Sequence, residues 1–306
     1  MDVHDSDVLP GNLRRVWTPV ASCARRVGGV LTGGTAVAVH LRHRVSEDLE
    51  VMTLRSFSGA AVEERLRETV NSVEPIEVSD NMFHGFLDGV KVDVFRALPT
   101  NGIEPDQMRW ICPGTRISGM EIGSIPDLMA TKLDTIMYRA KLRDYLDLAE
   151  LDRSGACSLE AGLGYYCRRF GYSYPPPVLE RIIRLLESPG SLPADPDYEA
   201  RSEPSLSYLR ERAANLWERL AVLRDQTNSE AHSRRPSVHP AREARRDMFN
   251  EAQRSSVRSK SAAVFSTTAQ QCSLLAYARN RPETGSMAPW AQGLIADATS
   301  RHAHEH

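Results

Sequence analysis

Three acidic residues in two separated segments have the types and spacing to do chemistry together. Asp48 and Glu50 alternate with Leu49 and Val51, so in an extended strand the two carboxylates share one face and the apolar pair shares the other. Like charges side by side on a strand repel unless a cation or a proton sits between them. Asp93 has the same setting in VKVDVF, where Val90, Val92 and Val94 point one way and Lys91, Asp93 and Phe95 the other. Three carboxylates on adjacent strands are what two-metal phosphoryl transfer requires. There, two Mg²⁺ ions about 3.5–4 Å apart activate the attacking oxygen and hold the departing pyrophosphate. Upstream, Gly33 and Gly34 remove side chains where the backbone must turn or approach a ligand, and Thr35 can cap the helix that follows. A glycine turn ahead of a helix lets backbone amides approach phosphate oxygens. The pattern predicts a site for a nucleotide and a divalent metal such as Mg²⁺, with Asp48 and Glu50 as metal ligands and Asp93 as a candidate third.

Other polar residues sit where they could serve that site or merely support it. His43, Arg44 and Ser46 lie between the helix and the acidic strand. Arg44 suits neutralising a phosphate or capping the helix C-terminus, Ser46 a bond to the metal site or a strand end, and His43 structural support. Lys132 falls inside the apolar stripe of Ile125, Leu128, Met129, Leu133, Ile136 and Met137. A buried ammonium is costly unless it meets an anion, although its stem can snorkel to water. Arg139, Lys141 and Arg143 precede Asp144 and Asp147, a helical spacing that also fits plain ion pairs on a solvated face.

The two stretches GGTAVAVHLRHRVSEDLEV and DLMATKLDTIMYRAKLRDYLDLAEL together resemble the signature blocks of the AbiEii/AbiGii-type nucleotidyltransferase toxin family. That family belongs to the DNA polymerase β-like nucleotidyltransferase superfamily, and the resemblance covers roughly residues 25–190. It implies transfer of a nucleoside monophosphate from an NTP to an acceptor, most readily tRNA, by a toxin held in check by a cognate antitoxin protein. It also implies that Gly33, Gly34 and Thr35 cradle the triphosphate, with Arg44 and Ser46 in the nucleotide-binding set. Asp93 falls at the third-acid position, Lys132 is assigned to the phosphates and to catalysis, and Asp144 to the site edge, with Asp147 holding the helix or Arg143. Glu50 departs from the usual second Asp by one methylene, which bears on metal geometry and rate. Two other readings stand beside this one: nucleotidylation of a protein, AMPylation-like, on an antitoxin or target, and a nucleotide-binding regulator without turnover.

The elements that must position these residues follow from composition and punctuation. With 306 residues, 41% hydrophobic and 25% charged, the chain has ample length to bury a core, and a net charge of −2 gives no global attraction to nucleic acid. Five cysteines without a C-x-x-C pair fit free thiols in a reducing compartment. No apolar run approaches a membrane span and no secretion leader stands out, so the expectation is a cytoplasmic protein with no membrane partner. A helix is expected over 13–27, a strand at Val30-Leu31, a helix after the glycine pair, the acidic strand, and a covering helix over 55–74. MFHGFL, the turn Asp88-Gly89 and VKVDVF read as a hairpin over 82–95. Residues 96–124 read as irregular, with Trp110 and Ile111 covering the core. Ser124 and Pro126 then start a helix, and helices follow to about residue 225. The expected fold is α/β (α+β): a small mixed-sheet nucleotidyltransferase domain over 1–122, an α-helical domain over 123–226, and a low-order, disordered C-terminal tail over 227–306, to which no function is assigned.

Overall fold

Glycine, proline and alternating apolar residues mark out most of the elements in the computed structural model, which describes residue 3 and residues 6–139, 141–172, 177–193 and 195–233 (223–233 by backbone alone). Helix α1 (Gly11–Val27) starts after Pro10 and stops at Gly28, whose left-handed φ of 65° only glycine adopts cheaply. Strand β1 (Gly29–Thr32) leads directly into α2 (Gly33–Leu41). The N-cap of α2 is Thr32, so Thr35 lies within the helix and does not cap it as expected. Strand β2 (Leu49–Thr53) follows, and Asp48 stands one residue ahead of it. The helix expected over 55–74 is shorter, α3 (Gly59–Arg67), capped by Ser58 accepting from the Ala61 amide at 3.3 Å. It gives way to an unforeseen strand, β3 (Val73–Ser79). The hairpin forms as expected from β4 (Met82–Leu87) and β5 (Val90–Arg96), its turn taking φ of 46° at Asp88 and 79° at Gly89. Two short strands, β6 (Thr115–Ile117) and β7 (Met120–Ile122), interrupt the stretch expected to be irregular.

Among the described residues these make one mixed seven-stranded sheet in the order β3-β4-β5-β2-β1-β7-β6. β2 runs parallel to β5 and antiparallel to β1, which pairs in parallel with β7. One face is sealed: Leu49, Val51, Phe83, Leu87, Val92 and Val94 are fully buried, and the Thr53 hydroxyl donates to the carbonyl of Val27 at the end of α1 at 2.7 Å. On the other face Glu50, Met52, Met82, His84, Phe86, Lys91, Asp93 and Phe95 are all half-exposed. The same strands therefore present two faces of different character.

The helical part follows. Helix α4 (Ile125–Thr135) is capped by Ser124, which accepts from the Asp127 amide at 3.3 Å, with Pro126 in its first turn as expected. α5 (Leu142–Arg153), α6 (Leu159–Arg169), α7 (Pro177–Glu187) and α8 (Glu199–Ser233) complete the described chain. α4 and α6 approach closely because Gly162 has no side chain, where a Cβ would come 2.6 Å from Met129 Cγ. α2 packs against α4 and α5, and His40 Nε2 bonds the Gly123 carbonyl at 2.9 Å. The described residues up to Arg219 belong to one compact unit, and the boundary expected between 122 and 123 falls inside it. Residues 227–233, expected as tail, continue α8, while the rest of that segment, 234–306, lies outside the described residues.

Candidate functional site

The parallel pairing of β2 and β5 decides which acids meet. Leu49 aligns with Val92 and Glu50 with Asp93, and side chains aligned across parallel strands share a face. Glu50 and Asp93 therefore stand side by side on the half-exposed face. Asp48 leads into it from the head of β2. Its backbone is fixed by Thr35, whose hydroxyl donates to the Asp48 carbonyl and lies 2.7 Å from the Ser46 hydroxyl.

The glycine pair serves these side chains directly. Gly33, with φ of 67°, is the first residue of α2, and a Cβ there would overlap the Glu50 carboxylate. The glycine thus lets Glu50 lie against the positive end of the helix. A Cβ at Gly34 would overlap the Arg44 guanidinium in the same way. The cradle expected of Gly33, Gly34 and Thr35 thus receives protein groups in this structure: Glu50, Arg44 and the Ser46–Asp48 segment.

Asp93 is engaged as well. Its carboxylate bonds His84 Nδ1 across the hairpin and lies 3.3 Å from Lys91 Nζ. By contrast, no donor among the described residues bonds the carboxylates of Asp48 or Glu50. The expected gathering of Asp48, Glu50 and Asp93 into one ligand set is not present: among the described residues no three His, Cys, Asp or Glu side chains are grouped so as to hold a metal ion. Of the three, Asp93 is held by its strand neighbours, whose ring N–H and ammonium occupy its oxygens.

Behind the acids lies a buried ion network built from α4, α5 and the loop after α2. Asp147, 0% exposed, accepts from His43 Nε2 at 2.8 Å and from Arg44 through Nε at 2.7 Å and Nη2 at 3.0 Å. Lys132, 3% exposed, places Nζ 2.7 Å from both Asp144 and Asp147. Asp144 also accepts from Arg139 Nε at 2.9 Å. Burial by itself would push the Asp147 carboxyl up, but Lys132, the His43 hydrogen bond and Arg44 together hold it far below the usual carboxylate range. Asp144 is lowered in the same way, with Lys132 and Arg139 overcoming burial. For Lys132, burial is outweighed by Asp147, Asp144 and Glu50, and its ammonium is raised.

This corrects several expectations. Lys132 neither snorkels nor presents a free ammonium to a phosphate, because its charge is committed to two carboxylates. Arg44 forms a bidentate pair with Asp147, not a surface for substrate. Asp144 lies beneath the site edge, bonded to Lys132 and Arg139. Asp147 holds Arg44, whereas Arg143 pairs with Asp195 at 2.8 Å. Arg139, one of the basic cluster ahead of Asp144, takes the ion-pair role that its spacing allowed, while the residues the sequence reading missed include His84 and the buried pair of Asp127 with Arg169. His84 was within reach, since counting back from the Asp88-Gly89 turn aligns it with Asp93. Asp127 and Arg169 gave no signal, because their meeting depends on how α4 and α6 pack.

No protein-family model matches the sequence, and no curated protein matches it. A solved structure, the crystal structure of the Megavirus polyadenylate synthase, overlaps 47% of this chain at 12% identity with a TM-score of 0.33. The overlap spans 32% of that chain, so this protein matches about a third of its neighbour's length.

Proposed function

We propose that the protein is a metal-dependent nucleotidyltransferase, the toxin component of an AbiEii-type toxin–antitoxin pair, which transfers a nucleoside monophosphate from an NTP to an acceptor such as tRNA. The observation that carries the reading is the acid row: Glu50 and Asp93 in register on adjacent parallel strands, Asp48 at the head of the same strand, and a glycine-started helix abutting Glu50. The carboxylates of Asp48 and Glu50, without donors among the described residues, are hard oxygen ligands that suit Mg²⁺ or Mn²⁺. Asp93 would complete the set by exchanging its contact with Lys91 or His84. When bound, such an ion supplies charge neutralisation at the triphosphate.

The remaining work falls to the protein. In the transfer, an acceptor hydroxyl oxygen bonds the α-phosphorus and the bond from that phosphorus to the bridging oxygen breaks. Pyrophosphate leaves with the electron pair, and the hydroxyl proton passes to Asp93. Catalysis of this kind rests on positioning and electrostatics. Lys132 and Arg139 act from below: with Arg44 they give three fixed cations against the two anions Asp144 and Asp147, and the surplus positive charge faces Glu50.

A second reading, a nucleotide-binding regulator without turnover, is favoured by the engagement of Asp93 with His84 and Lys91. Incubation with each of the four labelled NTPs, Mg²⁺ and deproteinised RNA or a protein partner separates the readings. The catalytic reading expects label on an acceptor with the wild type and none with Asp48→Asn. Binding of NTP without label transfer to any acceptor would favour the regulator.

A further inference from the structure

We propose that Lys91 is the acid row's own counter-cation, and that a divalent ion reaches Asp93 by displacing the Lys91 ammonium while His84 stays bonded. This rests on the nucleotidyltransferase reading and deepens it, by naming the residue that sets how tightly the row takes its metal.

The strand register brings the four charged groups together. β2 and β5 run parallel, with Leu49 level with Val92 and Glu50 level with Asp93. One step back from the first pair stand Asp48, just ahead of β2, and Lys91 on β5. The neighbouring stretches 48–50 and 91–93 thus carry three carboxylates and one ammonium. Like charges on adjacent strands destabilise one another unless a cation offsets them. Lys91 supplies that cation from within the chain.

The two oxygens of Asp93 are held differently. Oδ1 is bonded by His84 Nδ1, which stands level with Asp93 on the neighbouring strand β4. Oδ2 lies 3.3 Å from Lys91 Nζ, on a side chain that is 33% exposed. Withdrawal of Lys91 therefore frees one oxygen and leaves the other hydrogen-bonded. A ligating carboxylate is ordinarily held in that way, one oxygen on the metal and the group oriented by an outer hydrogen bond.

Lys91 is also the cation near the row that can leave. Lys132 is 3% exposed and lies 2.7 Å from both Asp144 and Asp147. Arg139 bonds both oxygens of Asp144, at 2.9 and 3.2 Å. Both feel the charge of Glu50, but neither can turn to it without uncovering a buried carboxylate. Lys91 has one bonded partner among the described residues, and its four-carbon stem can carry the ammonium into water, where it is strongly hydrated. Mg²⁺ is ordinarily held by one or two carboxylates, with waters and phosphates completing its shell. Asp48 and Glu50 reach that count, and Lys91 decides whether Asp93 is added.

The test titrates the full 306-residue chain with Mn²⁺ alone, the free ion being read by electron paramagnetic resonance. The proposal expects Lys91→Met to lower the Kd for Mn²⁺ about tenfold or more, and Lys91→Arg to keep it near the wild-type value. Lys91→Gln, which retains a polar end, replaces the methionine variant if that protein does not fold. Most of the gain should vanish when Lys91→Met is introduced into an Asp93→Asn protein. Adding His84→Ala to Lys91→Met should weaken binding again, because the freed carboxylate is no longer aimed. Equal or weaker binding by the Lys91→Met protein overturns the proposal. So does an undiminished gain in the Asp93→Asn background, which would be charge removal acting at a distance. If the proposal fails in either way while the wild type still labels an acceptor, the nucleotidyltransferase reading stands. The expected pattern of Mn²⁺ affinities, with no label transfer to any acceptor, has the reverse meaning.

Discussion

The acid row on the sheet and the ion network under it are built from the same residue types, yet they are in opposite states. In the network every carboxylate oxygen of Asp147 meets a donor, Arg44, Lys132, Asp144 and Asp147 are buried, and the charges are fixed by packing of α4 against α5. In the row, Asp48 and Glu50 are half-exposed and have no donor among the described residues. A satisfied buried network specifies structure, whereas half-buried anions that no side-chain donor bonds contribute little to it. Removing a charge should therefore have opposite consequences in the two places.

The sharpest separation is between Asp147→Ala and Asp48→Asn. The first leaves Arg44 and Lys132 buried with a lost partner, and is expected to cost about 3–5 kcal/mol, measured as a shift in the denaturant midpoint. The second is expected to leave stability within about 0.5 kcal/mol while label transfer disappears. If Asp48→Asn destabilises as much as Asp147→Ala, the row is structural and the contrast collapses.

Next in size is Gly33→Ala, which tests the one place where the regions touch the same helix start. The residue has φ of 67°, and the new methyl would meet the Glu50 carboxylate. Backbone strain of this kind costs about 1–3 kcal/mol, and the displaced Glu50 should lower transfer as well. An active, fully stable Gly33→Ala protein would mean that Glu50 is free to sit elsewhere.

How much of this was legible in the sequence depended on the range of the contacts. The hairpin was, because Asp88-Gly89 dictates a turn and fixes the register of Asp93. The place of Glu50 was, because period two puts it on the face opposite Leu49 and Val51, whereas Asp48 lies ahead of the strand. β3 was not: its side chains are mostly exposed and Pro75 interrupts it, so no apolar alternation marks it. β6 and β7 span three residues each, too short for a pattern. Lys132 was flagged as an anomaly in an apolar stripe, but the partner was misassigned. Asp144 and Asp147 also lie on the buried face of their helix, and carboxylates in such a stripe are the trace of an internal ion pair. Which partner each takes is decided by the way α4 and α5 cross, and that is not local information.

A pH experiment distinguishes carboxylates one helix apart. Asp147 is depressed in the folded state, so its contribution is fully present above the unfolded carboxylate pKa of about 4 and is lost as pH falls below it. Asp134 has the opposite sign. Burial pushes its carboxyl up to about 6, with the Tyr166 hydroxyl at 3.4 Å and Arg169 only partly offsetting this. The folded protein then binds the proton more tightly than the unfolded chain, and stability falls as pH rises from about 4 through 6. Asp134→Asn should remove that fall and stabilise the protein by about 1–3 kcal/mol at neutral pH, with little effect in acid. Equal effects at both pH values would show that Asp134 is not protonated in the fold.

The smallest expected effect concerns the loop that joins the two regions. The side chains of His43 and Arg44 enter the buried network, while Ser46 and Asp48 are held by Thr35 at the head of the acid row. The outer side of this loop is strapped by a distant segment: Tyr198 donates to the Val45 carbonyl at 3.2 Å and Arg201 to the His43 carbonyl at 2.6 Å. The Tyr198 ring lies 5.1 Å from the Arg143 guanidinium, which Asp195 holds from the same segment. An exposed hydrogen bond of this kind is worth at most about 1 kcal/mol, so Tyr198→Phe should barely move the denaturant midpoint. If the loop transmits order from the network to Asp48, the same substitution should nevertheless lower kcat for nucleotide transfer with KM for the NTP unchanged, because Asp48 would be present but less well aimed. A drop in stability without a change in kcat would show that the strap serves the fold alone, and that the acid row is positioned from Thr35 and the strand pairing without help from outside.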